Sequence, residues 1–339
     1  MRCMAKYQVA VLGCGSIFSR HLAALKANSE HYDFVAYYDP SPAAVSKFST
    51  ELSSQYLYSC EDEAYSDPNT NCVVLLTPSH LHYAQAKRAM LNQKNVILEK
   101  PATFNVEQLL ELEALAEKQG VEIFCVLQVR LNHSIGLLEQ VIQQGLLGEI
   151  RSSSLVQRWQ RPLDYFTGWR GTYAECGGVL FEFGIHYLDI MQYLLGVPKV
   201  TAAKFFKTKF KDSEVDDSAY ALLDFGSFGG TLEVTLAAEP SNIEVSLIIM
   251  GSNGYIKLGG KSLDQVTAVH FLDESSKEHY ARICTEVLGY TIDNQVAIGA
   301  CPHHPELYKQ IILNPAKFRL QSTYNVIKLV SEINELGVS

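Results

Sequence analysis

The chain has 339 residues, 47% of them hydrophobic and 19% charged. That is enough apolar material for two domains with buried cores, and it excludes a largely disordered chain. Lys plus Arg number 28 against 37 Asp plus Glu, a formal charge of −9, so no nucleic-acid partner is expected, because phosphate neutralisation needs a basic surface. No run reaches the ~18 uncharged apolar residues of a membrane span. The early strand and glycine loop leave no room for a signal peptide, so a soluble, cytoplasmic protein is expected. The eight cysteines (Cys3, Cys14, Cys60, Cys72, Cys125, Cys176, Cys284 and Cys301) show no C-x-x-C spacing. They read as reduced thiols, mostly inside apolar runs, with neither a disulfide framework nor a metal.

In chain order, the first part alternates short apolar runs with helical patterns. Strands are predicted at Tyr7–Leu12, Phe34–Tyr38, Cys72–Leu76, Val96–Leu98 and Val121–Gln128. Helices are predicted at Ile17–Asn28, Pro42–Leu52, His80–Leu91 and Val106–Gln119. Ser41 before Pro42 is a helix start, and Gly120 is a stop. This alternation predicts an α/β domain with a parallel sheet covered on both faces, residues 1–130.

After Gly148 the texture changes to a helix-like run, Gly178–Leu195, and then five strand-like runs. These are Val200–Phe206, Ser218–Asp224, Gly230–Ala237, Ile243–Met250 and Tyr255–Leu258, punctuated by glycine turns. Hairpin spacing predicts a mostly antiparallel open sheet in an α+β domain, residues 131–339. Helices at His304–Leu313 and Tyr324–Leu336 close the chain, the last expected to pack back on the first domain.

Candidate chemistry sits at strand ends. Val9 to Phe18 reads as a strand running into Gly13-Cys14-Gly15, with Ser16 and Ile17 opening a helix. Gly13 permits a tight turn, and Gly15 lets backbone approach a pyrophosphate at the helix N-terminus. Phe18 stands where a third glycine is expected. Asp39 closes the second strand, where a carboxylate accepts ribose hydroxyls and repels a 2′-phosphate, favouring NAD over NADP. Two later strands end in Thr77-Pro78-Ser79-His80-Leu81-His82 and in Glu99-Lys100-Pro101. A buried uncharged strand thereby delivers an ammonium to the cofactor edge. Further on, Glu182, His186 and Asp189 fall at i, i+4 and i+7, on one face of a regular helix. General acid/base work at His186 ranks ahead of packing, and a metal role last, since the second His of zinc helices is missing.

Together the glycine turn, Asp39, Glu99-Lys100-Pro101 and the Gly-Gly-x-Leu-x-Glu-x-Gly-x-His-x-x-Asp helix resemble the Gfo/Idh/MocA oxidoreductase family. The resemblance implies a Rossmann domain, and a second domain whose open sheet mediates homo-dimers or homo-tetramers. It implies Lys100 and His186 as the catalytic pair, with Glu182 as helper in a position where the family often has Asp. NAD contacts are expected from Gly13, Gly15, Ser16, Ile17, Asp39, Thr77, Pro78, His80, His82, Glu99, Lys100, Gln128, Trp169 and Arg170. A narrower similarity to UDP-N-acetylglucosamine and uronate 3-dehydrogenases rests on three stretches. They are Leu127 to His133, Arg158-Trp159 to Tyr165 with Trp169-Arg170-Gly171, and His304-x-x-x-Tyr308. It implies a nucleotide-sugar substrate oxidised at C3, for amino-sugar synthesis. The sugar would be held by Lys100, Arg130, Arg158, Tyr165, His186, His304 and Tyr308, with Arg161 and Arg170 nearby. Competing readings are a dehydrogenase of inositol, glucose 6-phosphate or another free sugar, and an NAD-binding regulatory protein without catalysis.

Overall fold

The computed structural model describes residues 6–288 and 303–337. These fall into two compact units: one runs up to Leu127 and includes His304–Tyr324, the other takes Gln128–His303 and the residues from Asn325 on.

The first unit runs β1 (Tyr7–Leu12), α1 (Phe18–Ala27), β2 (Tyr32–Tyr38), α2 (Pro42–Ser46), α3 (Glu61–Ser66), β3 (Cys72–Leu75), α4 (His82–Leu91), β4 (Asn95–Leu98), α5 (Val106–Gln119) and β5 (Ile123–Cys125). Its strands are all parallel, in the order β2-β1-β3-β4-β5. The central runs Val9–Leu12, Cys72–Leu75 and Val96–Leu98 are buried throughout, as a sheet covered on both faces requires. Register aligns the carboxyl ends: Leu12 pairs with Tyr38 and Leu75, and Leu75 with Leu98. Gly13, Asp39, Leu76 and Glu99 therefore leave the sheet at one edge, and the order reverses beside β1, where ligands of open α/β sheets bind. Predicted α5 is present with its Gly120 stop at φ +67°, and the structure adds an N-cap, the Asn105 side chain accepting the Gln108 N–H. The predicted helix at Pro42–Leu52 shortens to α2, and the predicted last strand to β5, three residues long.

The second unit contains α6 (His133–Gln143), β6 (Ile150–Arg158), α7 (Tyr173–Cys176), α8 (Ile185–Leu195), β7 (Lys199–Phe206), β8 (Ser218–Asp224), β9 (Gly229–Thr235), β10 (Glu244–Gly251), β11 (Gly254–Gly259), β12 (Gln265–Phe271) and α9 (Glu274–Leu288). Seven strands form one sheet, β12-β11-β10-β6-β9-β8-β7, antiparallel except for the β6–β9 pair. All five predicted strands are present. The central strand β6 and the edge strand β12 were not predicted; in β6, Ser152-Ser153-Ser154 masks the alternation. Along it Ser153, Leu155 and Gln157 are buried, and Ser154, Val156 and Arg158 are half-exposed on the other face.

Two helices close the chain: α10 (His303–Leu313) and α11 (Tyr324–Gly337). The first corrects the predicted division at residue 130, since nearly all of α10 belongs to the first unit rather than the second. The Tyr32 hydroxyl donates to the Tyr308 carbonyl (2.9 Å), and the two rings pack edge-on. Beyond it, the Cys125 N–H donates to the Phe318 carbonyl, and Arg319 forks onto Glu122. From Asn325 on, α11 groups with the second unit. Of the cysteines, Cys14, Cys72, Cys125, Cys176 and Cys284 are buried free thiols and Cys60 is exposed. Cys3 and Cys301 lie outside the described residues.

Candidate active site

At the end of β1 the glycine turn does what its residue types allow. Gly13 takes φ +98°, and a Cβ there would lie 2.7 Å from the Leu76 carbonyl oxygen, so only glycine fits. Around Gly15 no atom stands within 4 Å of where a Cβ would be, which leaves room for a pyrophosphate against its backbone. Phe18 replaces the third glycine because its ring is fully buried, packed against Tyr37 and Phe48. Asp39 binds the loop, its two oxygens accepting the Cys14 N–H (2.7 Å) and the Ser41 N–H (2.8 Å). The first turn of α1 carries no side-chain cap, and the positive end of the helix dipole points at the loop. These features fit a dinucleotide: a turn, a close approach, a helix N-terminus and a carboxylate at the second strand end.

Two strands along the sheet, β4 delivers Glu99, Lys100 and Pro101. Lys100 is half-buried and Glu99 buried. One Glu99 oxygen lies 3.0 Å from His21 Nε2 and 3.6 Å from His304 Nε2, and the other accepts the Lys100 backbone N–H (3.1 Å). Burial alone would raise the Glu99 carboxyl, but hydrogen bonds and charge from the two imidazoles outweigh it and hold it well below the usual range. Burial also pushes the His21 imidazole below its ordinary value, against the pull of Glu99. His82, predicted to touch the cofactor, is fully buried instead. Its ring nitrogens lie 2.7 Å from the Pro101 carbonyl and 2.9 Å from that of Thr77, tying together the two loops that follow β3 and β4. The Thr77 hydroxyl donates to Gln85, and Pro78 and His80 remain half-buried in the same turn.

In the second unit the predicted single helix at Gly178–Leu195 is interrupted. Leu180–Gly184 is one π-helical turn, and α8 starts only at Ile185. The wider turn breaks the regular spacing that would set Glu182, His186 and Asp189 on one face. Glu182 instead accepts the Tyr165 hydroxyl (2.8 Å) and Arg170 Nε (3.1 Å). Burial, and then the Glu182 charge, raises the Tyr165 hydroxyl above its usual range. His186 sits half-buried in the first turn of α8. Asp189 is buried in a forked ion pair with Arg130, at 2.7 and 2.6 Å. Two of the Arg130 donors are thus taken, which corrects its predicted role toward a phosphate.

Arg158 is corrected in the same way. It forks onto Glu233 and also reaches Glu244, with all three contacts at 2.6–2.7 Å. Strand parity puts it with Ser154 and Val156, on the face opposite the buried residues Leu155 and Gln157. The remaining arginines lie over aromatic rings. Arg170 stacks on Trp169 (4.3 Å) and Tyr165 (5.0 Å), and Arg161 on Trp159 and Phe183 (4.8 Å each). Arg161 and Arg170 are the two arginines expected near the sugar rather than among its contacts. Gln128 opens a 3-10 turn with its side-chain oxygen buried and without a hydrogen-bond partner. Tyr308 is fully buried, its hydroxyl 2.8 Å from His21 Nδ1, so it is a core residue and not a sugar ligand. His304 is likewise buried, edge-on to His21. His21 itself was missed. Its only sequence signal is a polar residue inside the apolar pattern of α1.

Comparison with known proteins gives the same architecture a family. Residues 7–127 match the oxidoreductase family model described as an NAD-binding Rossmann fold, and residues 136–257 match the GFO/IDH/MocA C-terminal domain. An uncharacterised oxidoreductase of Synechocystis is 26% identical over 251 residues, 73% of this chain and 67% of that protein. The scyllo-inositol 2-dehydrogenase (NADP(+)) of Bacillus subtilis is 27% identical over 176 residues, 50% of this chain and 49% of that protein. Among solved structures, the WlbA dehydrogenase of Bordetella pertussis, in complex with NADH and UDP-GlcNAcA, superposes with TM-score 0.84. It is 24% identical, covering 99% of this chain and 96% of that one. A levoglucosan dehydrogenase in complex with NADH and levoglucosan gives TM-score 0.81 at 18% identity, covering 98% of each chain.

Proposed function

We propose that this chain, which belongs to the Gfo/Idh/MocA family of NAD-binding oxidoreductases, oxidises the C3 hydroxyl of a UDP-N-acetylhexosamine or its uronate for amino-sugar synthesis. The carrying observation is the single sheet edge at which parallel strands release Gly13, Asp39 and Lys100. It puts a cationic donor on the same edge as the dinucleotide turn. The substrate part is supported by Arg161 and Arg170, stacked on Trp159, Trp169 and Tyr165. Guanidinium groups beside aromatic rings suit a diphosphate and a base. The Bordetella protein of like fold, solved with UDP-GlcNAcA, is consistent with that choice.

NAD, when bound, supplies the hydride acceptor. A ring nitrogen of His186 takes the proton of the C3 hydroxyl as general base. Lys100 Nζ donates to the same oxygen, stabilising charge that is largest in the transition state. Glu182, fixed by Tyr165 and Arg170, orients the aromatic and cationic groups around the sugar. Self-association through the open face of the second sheet, in the cytoplasm, belongs to the same reading. Tyr220 and Leu222 are exposed on its strand β8.

A second reading, oxidation of a free sugar such as scyllo-inositol, draws on one observation. Arg130 and Arg158, two of the arginines a diphosphate would want, are engaged by Asp189, Glu233 and Glu244. Incubation with NAD and either UDP-GlcNAcA or scyllo-inositol, followed at 340 nm and by product mass spectrometry, separates the two. Formation of a 3-keto UDP-sugar is expected. Turnover on inositol alone would discard the nucleotide-sugar assignment. Lys100→Met and His186→Ala should each lower kcat by ~10²–10⁴ with NAD affinity retained. A near-normal rate for either variant would remove that residue from the catalytic pair.

A further inference from the structure

Behind the Lys100 loop, the first unit buries four polar side chains drawn from α1, the end of β4 and α10. His21, Glu99 and His304 offer ligand-type atoms within 4.8 Å of one another, and Tyr308 sits on the far side of His21. His21 has both ring nitrogens engaged: Nδ1 lies 2.8 Å from the Tyr308 hydroxyl and Nε2 3.0 Å from Glu99. The direction of these bonds is fixed by chemistry. Glu99 is ionised and can only accept, so His21 must present Nε2–H to it. A neutral imidazole then has a lone pair on Nδ1, and the Tyr308 hydroxyl must donate to it. The other Glu99 oxygen accepts the Lys100 N–H. One oriented chain therefore runs from α10 to the backbone of Lys100. Tyr308 is also held at its own carbonyl by Tyr32, so the outer end of the chain is anchored.

We propose that Tyr308, His21 and Glu99 form a directional hydrogen-bond relay that fixes the backbone at Lys100, which makes all three positioning residues for that lysine. The inference rests on the catalytic role given to Lys100 under the proposed function. Nothing in the relay touches a substrate. Its effect should appear in the placement of the lysine, and hence in kcat, while NAD affinity stays level.

The test has one arm that needs no substrate. Lys100 and Lys118 are the only lysines preceded by glutamate. Protein carrying carbonyl-13C glutamate and 15N lysine therefore gives two selected amide signals. Tyr308→Phe, which removes only the outermost donor, should move the Lys100 signal and leave Lys118 in place. An unmoved Lys100 amide would overturn the relay. In 15N-histidine spectra His21 should be the neutral Nε2–H tautomer, and Glu99→Gln, an isosteric change, should invert it to Nδ1–H. An unchanged tautomer would count equally against the proposal. Joint displacement of the His21 and His304 Nε2 signals by zinc, reversed by a chelator, would make the cluster a metal centre and overturn it too. With UDP-GlcNAcA and NAD, both variants should lose about 10- to 100-fold in kcat, the scale of a misplaced catalytic group. In Tyr308→Phe the NAD affinity and melting temperature should stay near normal, and in both variants the primary deuterium isotope effect should rise. Normal kcat in Tyr308→Phe would overturn the positioning role. If the unmodified protein turns over no UDP-sugar, the functional reading fails, and the amide shift alone decides the relay.

Discussion

At the scale of single residues, carboxylates set the arrangement on both units. Asp39 holds the glycine loop through the Cys14 N–H and its own turn through the Ser41 N–H, yet it stands where ribose hydroxyls are expected. NAD should therefore bind more tightly than NADP, and Asp39→Ala should narrow the difference by loosening the loop and removing the charge together. Fluorescence titration with both dinucleotides checks this, and equal affinities in the unmodified protein would sink the assignment. Asp189 makes a different case. Its ion pair with Arg130 is almost wholly buried, with side-chain exposures of 3% and 2%. Arg130→Met strands a charge in the interior and should cost about 3–5 kcal/mol in urea unfolding. The double variant Arg130→Met with Asp189→Leu should recover most of that loss, because no charge is then left unpaired. Both carboxylates were visible in the sequence as residues. Their partners were not, since Asp189 and Arg130 are 59 positions apart.

Elements were legible to the extent that their patterns were regular. Helix α5 carried its apolar spacing and its glycine stop, and it folds over the predicted span. Strand β6 did not announce itself: a serine run at its start hides a face that only the neighbouring strands bury. The π-turn at Leu180–Gly184 was equally hidden, because nothing in Gly-Gly-Val-Leu-Phe-Glu distinguishes one helical winding from another. Gly337 shows how closely an element end is specified. A Cβ there would lie 2.0 Å from two ring carbons of Phe205 on β7. Phe205 is buried and cannot swing away freely. Gly337→Ala should cost about 1–3 kcal/mol by overpacking, seen as a lower melting temperature. An unchanged melting temperature would mean that the ring and the helix end separate without cost.

For the molecule as a whole, the buried imidazoles predict a pH profile. Burial pushes both His21 and His82 below their ordinary value in the folded chain. Once unfolded, each regains a pKa near 6.5 and binds a proton at lower pH. The unfolded state then holds more protons, so stability is full above about pH 7.5 and falls as the pH drops through 6.5. The slope approaches ~1.4 kcal/mol per pH unit for each histidine. Glu99, depressed in the folded state, adds a further loss at lower pH, as its carboxylate protonates. Urea midpoints between pH 5 and 8 should show the fall, and His82→Gln should flatten it. A profile indifferent to pH over that range would contradict buried neutral imidazoles.

By itself the sequence determined a parallel sheet from alternating strands and helices, the glycine turn with its acidic partner and the lysine at the end of a buried strand. Each of these is a local consequence of residue type and period, and so readable over a dozen residues. Which arginines remain available was decided only in three dimensions. Arg158 lies on the sheet face where Glu233 and Glu244 wait on neighbouring strands, and Arg130 is taken by Asp189. The same holds for Tyr308, which reads as a sugar ligand one helical turn from His304 and ends buried with its hydroxyl 2.8 Å from His21 Nδ1, 287 positions away. Ion pairs and buried hydrogen bonds join residues that only the folded chain brings together, and low dielectric makes an unpaired member costly, so the fold completes them first.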